Sequence, residues 1–312
     1  MRPDRRTDDL LHQTTQTVVA RYAECRRTSH LDHRPLPGRD AIVGMLGDFF
    51  DLLFPGYFRR QNLHSGNILY HAGDLIDSLY DQLSEQIGRA MRLHRPPDED
   101  TLVDVLAPQK AMSMLERLPR LQQLLDEDVQ AAYDGDPAAT SLEEIVFCYP
   151  GLYAVAVQRL AHELLSLDVP LIPRIMTEHA HTLTGIDIHP AARLGRRFFV
   201  DHGTGVVIGA TCVIGDRVRV YQGVTLGALN LPRDDQGELI RSTKRHPTIE
   251  DDVVVYANAT VLGGATVVGH HSVIGSNVWL THSVEPYTIV TMDKPSLRFR
   301  NPGSEQAQNY YI

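Results

Sequence analysis

Two hydrophobic periods divide the chain. Up to about residue 185, apolar residues recur at three- and four-residue steps, the spacing of one helical face. Ile42, Leu46, Phe49 and Leu53 predict a helix over 39–55, stopped by Pro55 and Gly56. Ile76, Leu79, Leu83, Ile87 and Met91 predict a second over 68–93, and Leu115, Leu118, Leu121, Leu125 and Val129 a third over 111–133. Asp134-Gly135-Asp136-Pro137 reads as a turn. Ser141 and Glu144 have the spacing of a capping box for the next helix, and two more helices fill 151–166 and 171–184. These stripes are read as packing faces.

From residue 186 the period is six. Ile188, Leu194 and Val200 are six apart; after a two-residue slip come Ile208, Ile214, Val220 and Leu226. A polar interruption at 229–244 predicts a loop thrown out from one corner, after which Ile249, Val255 and Val261 resume the period. A one-residue slip leads to Val268, Ile274 and Leu280. Neither a helix nor an alternating strand has this period. It predicts a solenoid of short parallel strands around a triangular core. The expected domains are a helical part at 1–185, a solenoid at 186–290 and a tail at 291–312.

Composition narrows the function classes. The 312 residues are 43% hydrophobic and 22% charged, an ordinary globular balance over a length that suggests about two domains. The formal net charge of −9 argues against nucleic acid as the main partner, which would need surplus Lys and Arg. The N-terminal residues lack the apolar core of a secretory signal, and no stretch reaches a membrane span. Cys25, Cys148 and Cys212 form neither a disulfide framework nor a metal-ligand spacing, so a cytoplasmic protein is expected.

His202, in Val200-Asp201-His202-Gly203-Thr204-Gly205, is the first candidate for chemistry. Asp187 precedes it by about one expected coil, so stacking should bring the two together. A carboxylate on one ring nitrogen fixes the tautomer and frees the other nitrogen to take a proton from a hydroxyl. Asp136 and Asp201 could receive an ammonium group. Arg245, followed by His246, could hold a carboxylate through its fork. His179, His181, His189, His270 and His271 invite a zinc reading, but their spacing forms no ligand set and no metal is expected.

Four motifs carry a resemblance to a known family. They are Asp187-Ile-His-Pro-Ala-Ala-Arg-Leu-Gly195, Val200-Asp-His-Gly-Thr-Gly205, Gln222-Gly-Val-Thr-Leu-Gly227 and Arg245-His-Pro-Thr-Ile249. In residues and order they resemble serine O-acetyltransferase, over roughly Asp128 to Pro286. The resemblance implies an α+β chain, an N-terminal all-α domain followed by a left-handed parallel β-helix, the hexapeptide-repeat solenoid. It implies acetyl transfer from acetyl-CoA to L-serine, the first step of cysteine biosynthesis. By it, His202 is the general base, Asp187 its partner, Asp136 and Asp201 the ammonium site, and Arg245 with His246 the carboxylate site. Gly227, Ala228, Ala257 and Ser276 would contact CoA, with an oxyanion donor near Gly227-Ala228. No bound cofactor is implied. A trimer or dimer of trimers is, because family sites lie between chains.

The sequence departs from the family at four places, one of them the loop before Arg245, which is longer than in the common short form. Ala228 stands where a second Gly is usual, residues 1–100 extend beyond the short bacterial form, and the segment after Pro286 differs. Ile312 matches members whose C-terminal carboxylate enters cysteine synthase. The competing readings are an acetyltransferase with another hydroxyl or amine acceptor, a non-catalytic cysteine-synthase partner, and a zinc hydrolyase.

Overall fold

The computed structural model describes residues 5–25, 27–60, 62–93, 95–241 and 243–293. Two compact units divide after Leu36. The first contains α1 (Arg5–Glu24), a helix the apolar stripes do not predict. The second begins at Pro37 and holds the other helices together with a parallel β solenoid.

The predicted stripes become buried helix faces. In α2 (Arg39–Leu53), Ile42, Leu46 and Phe49 are buried; in α3 (Ile68–Arg92), Leu79, Leu83 and Ile87 are. The helix expected over 111–133 is instead two, α4 (Asp100–Glu116) and α5 (Leu118–Gly135). The break falls at Arg117 because Pro119 lies in the first turn of α5, where its missing N–H costs nothing. Then come α6 (Leu142–Cys148), α7 (Pro150–Ser166) and α8 (Ile172–Thr184). Only half of the capping box forms as read. The Ser141 hydroxyl accepts the Glu144 N–H at 3.2 Å, but the Glu144 carboxylate turns back to the Thr140 N–H at 2.7 Å.

The solenoid has three faces of parallel two- and three-residue strands. The first face stacks β1 (Asp187–Ile188), β4 (Val207–Ile208), β7 (Thr225–Gly227), β10 (Thr260–Leu262) and β13 (Trp279–Leu280). The second stacks β2 (Arg193–Leu194), β5 (Val213–Ile214), β8 (Thr248–Ile249) and β11 (Val267–Val268). The third stacks β3 (Phe199–Val200), β6 (Arg219–Val220), β9 (Val254–Val255), β12 (Val273–Ile274) and β14 (Ile289–Val290). This is the left-handed parallel β-helix. Every aliphatic of the six-residue period points inward; all are buried except Leu194, which packs on the core at the end nearest the helices. After Gly227 the chain leaves the coil, turns through a short hairpin bridged at Arg233 and Leu239, and returns at Thr248.

A buried ion pair joins the helices to the first coil. Arg159 of α7 donates from Nε and Nη2 to Asp128 of α5 at 2.7 and 2.9 Å. Asp128 also accepts the Phe198 N–H at 2.9 Å, and Arg159 Nη2 reaches the Gly195 carbonyl at 2.8 Å. Among the described residues no helix is long and apolar enough to cross a membrane. Residues 294–312, including Ile312, lie outside the described residues.

Candidate active site

The two-residue slip after Val200 is a bulged corner. The backbone ladder aligns Asp201 with Tyr221, because their N–H groups bond to Val220 and Val255 one coil on. It aligns Thr204 with Gln222 through the Gly223 N–H to the Thr204 carbonyl at 2.9 Å. His202 and Gly203 are the extra pair, lifted out of the regular turn. His202 has φ 57°, a left-handed backbone that a non-Gly residue adopts at a cost. Its side chain is 70% exposed, with Nε2 3.7 Å from Asp201 Oδ1.

The helical part delivers Asp136 to this corner. Asp136 caps α5 with extended backbone at φ −116°, ψ 106°. The Arg219 guanidinium donates to the Gly135 carbonyl at 2.9 Å and lies over the Phe199 ring. Gly135 is required for that approach, since a Cβ there would stand 2.8 Å from both side chains. The Tyr149 hydroxyl donates to Asp136 Oδ2, and the Ala138 N–H donates to Oδ1 at 2.8 Å. These two donors, Tyr149 first, hold the Asp136 carboxyl below its ordinary range. Asp201 is pushed the other way, upward by burial, with the His202 charge opposing. Asp136, Asp201 and His202, read separately from the sequence, thus share one corner. Tyr149 and Arg219 join them without having been foreseen. Tyr149 sits in a Tyr-Pro-Gly step that carries no periodic signal, and Arg219 occupies an ordinary outward position of the six-residue repeat.

The spacing argument for Asp187 needs correction. One coil on from Asp187 is Val207, not His202: the coil takes 20 residues, the two-residue bulge included, and His202 lies only 15 on. Among the described residues no hydrogen bond or ion pair joins Asp187 to His202 within the chain. Asp187 instead acts on His189, which burial and Arg174 hold below its ordinary pKa.

Arg245 and His246 stand at the other end of the first face. The His246 ring packs over Gly209, where a Cβ would lie 2.0 Å from the imidazole. Its Nδ1 accepts the Thr211 N–H at 3.1 Å, which places the ring proton on Nε2. Burial first, and Arg245 second, lower its pKa to about 4, so the ring is neutral near pH 7. Arg245 donates from its N–H to Thr211 Oγ1 at 3.0 Å and from Nη1 to the Arg241 carbonyl at 3.0 Å.

The positions expected to meet CoA divide in the same way. Ala257 and Ser276 fall in the corner column of Thr204 and Gln222, directly along the axis from His202; the Asn277 N–H bonds to the Ala257 carbonyl at 3.0 Å. Beside that column Tyr221 and Tyr256 stack, with centroids 5.0 Å apart, and Gln222 Oε1 is buried without a hydrogen-bond partner. Gly227 and Ala228 lie at the opposite corner, where β7 ends. No group of three or more His, Cys, Asp or Glu among the described residues is arranged to hold a metal.

No protein-family model matches the chain. A curated relative from Synechococcus elongatus, "Serine acetyltransferase, plasmid", is 50% identical over 262 residues, 82% of this chain and 82% of the relative. The crystal structure of serine acetyltransferase isoform 3 from Entamoeba histolytica, in complex with cysteine, superposes with a TM-score of 0.69 at 32% identity. That match covers 94% of this chain and 96% of the other. Soybean serine acetyltransferase complexed with serine superposes with a TM-score of 0.51 at 26% identity, over 81% of this chain and 96% of that one. Half of the residues are thus shared over most of two chains, and the motifs sit on a six-residue solenoid: the chain belongs to the serine acetyltransferase family of acyltransferases.

Proposed function

We propose that the chain transfers the acetyl group of acetyl-CoA to the hydroxyl of L-serine, with no further cofactor. The observation that carries the reading is the corner shared by Asp136, Asp201 and His202. Two carboxylates receive the ammonium group, one of them held ionised by Tyr149 and Ala138. His202 takes the proton of the serine hydroxyl as its oxygen attacks the thioester carbonyl. The C–S bond then breaks, and the imidazolium returns the proton to the departing thiolate. Asp187, at the base of the same corner, orients the imidazole in the loaded site. The serine-bound soybean structure and the cysteine-bound Entamoeba structure support an amino-acid ligand of this size.

Arg245 and His246 hold the serine carboxylate, the latter through its neutral Nε2–H. They stand at the corner opposite His202, so the site is completed by a second copy of the chain, in a trimer or a dimer of trimers. Acetyl-CoA lies in the groove between two solenoids. Ala257 and Ser276 contact it from one chain, Gly227 and Ala228 from the other, and a backbone N–H near Gly227-Ala228 meets the oxyanion. The scattered cysteines fit a cytoplasmic enzyme. The Ile312 carboxylate is assigned to cysteine synthase as a docking group.

The test is CoA thiol release from acetyl-CoA with L-serine, beside threonine, homoserine and a sugar, for wild type and His202→Ala. Serine-dependent release, reduced by roughly 10²–10⁴-fold in the variant, is the expected result. Release with a different acceptor would reassign the substrate. No release from folded protein would leave cysteine-synthase binding, with deletion of Ile312 as its probe.

A further inference from the structure

A cavity of about 500 Å³ lies away from the His202 corner, where α5 and α7 meet β2. Four guanidinium groups line it: Arg117, Arg120, Arg159 and Arg193. In a chain of net charge −9 this is a concentration of one sign that calls for a reason. Two of the four are already committed. Arg117 Nη1 donates to Glu163 Oε2 at 2.5 Å, and Arg159 holds Asp128. The Arg120 and Arg193 side chains have no hydrogen-bond or carboxylate partner among the described residues. Glu163 is the one carboxylate on the wall, and Arg117 occupies it.

Two exposed guanidinium groups without a partner on the wall of one concave site suit an oxyanion better than any neutral ligand. The rest of the wall includes Leu121, Leu124 and Leu194, which would meet the carbon body of such a ligand. We propose that this cavity is a binding site for a small phosphate-bearing anion, held by Arg120 and Arg193 and distinct from the serine corner. The shared chemistry is the dianionic phosphate group, supplied by inorganic phosphate or by a phosphomonoester. The volume and the leucines favour the ester. The proposal is independent of the acyl-transfer reading, because none of its residues touches the His202 corner.

The experiment is isothermal titration of the full chain with inorganic phosphate and with glycerol phosphate, at ionic strength fixed with chloride. Saturable binding is expected, tighter for glycerol phosphate. Arg120→Ala and Arg193→Ala should each weaken it by roughly 10-fold or more. Arg120→Lys keeps charge without a fork and should fall between wild type and the alanine variant. Arg217→Ala, which removes an exposed guanidinium bonded to Asp252 on the solenoid, should bind as wild type does. Tighter binding of inorganic phosphate would assign the site to the free ion. No saturable heat with either probe would overturn the proposal, as would an unchanged Kd in both alanine variants, each folded by circular dichroism.

Discussion

The Tyr149 hydroxyl donates to Asp136 Oδ2 across the gap between α6 and the end of α5. The acceptor is one of the two carboxylates assigned to the serine ammonium, so the phenol fixes where that carboxylate points. Tyr149→Phe leaves packing intact and removes the donor. A hydrogen bond to a charged group at a part-buried site is worth about 1.5 kcal/mol, roughly 10-fold in an equilibrium constant. The serine KM should rise by about that factor, with kcat and the acetyl-CoA KM nearly unchanged. Steady-state kinetics with each substrate varied in turn checks it; an effect on kcat alone would remove Tyr149 from the ammonium site.

Two variants impaired at low serine should rescue one another. If His202 works with Arg245 of a neighbouring copy, mixed assemblies of His202→Ala and Arg245→Ala chains contain some interfaces with both residues intact. Co-expression should restore serine-dependent thiol release well above either variant alone. Mixed assemblies no more active than the parents would place the whole site within one chain.

His246 makes stability depend on pH. Its folded pKa of about 4 lies below the ordinary 6.5, so between these values the unfolded chain binds more protons than the folded one. Stability therefore falls as the pH drops through this window and is constant, for this group, above it. Denaturant midpoints measured from pH 7 to pH 4.5 should decline, and His246→Gln should flatten the slope. An equal slope in the variant would assign it to other groups.

Breaking the seam between helices and solenoid should be costly. Asp128→Ala leaves Arg159 buried without its carboxylate, and loss of one partner of a buried pair typically costs about 3–5 kcal/mol. Urea unfolding should show a loss of that size. A loss below about 1 kcal/mol would mean that water or the Gly195 carbonyl takes over the guanidinium.

The solenoid was legible because one inward aliphatic per six residues has no other structural meaning, and Ile188 through Leu280 fall into the core as read. The helices were legible where a single face is apolar. The first half of α4 was not, since its apolar residues are spread around the helix and Pro108 interrupts it. Asp201 and His202 stand together in one short motif, whereas Asp136 by itself reads as a turn residue before Pro137 and only the resemblance ties it to them. Their partners were not legible. Tyr149 meets Asp136 through tertiary packing alone, and the 15 residues from Asp187 to His202 fall short of the 20 that make up that coil.

The excursion between Gly227 and Thr248 leaves no mark on the coil it interrupts. Thr225 still pairs with Thr260 and Val213 with Thr248, as though the intervening residues were absent. Corner length is therefore a free variable in this architecture. Selection can rewrite the segment after Gly227 while the strand columns on either side of it stay in register. The bulge that raises His202 and the long detour before Arg245 are two settings of that one dial.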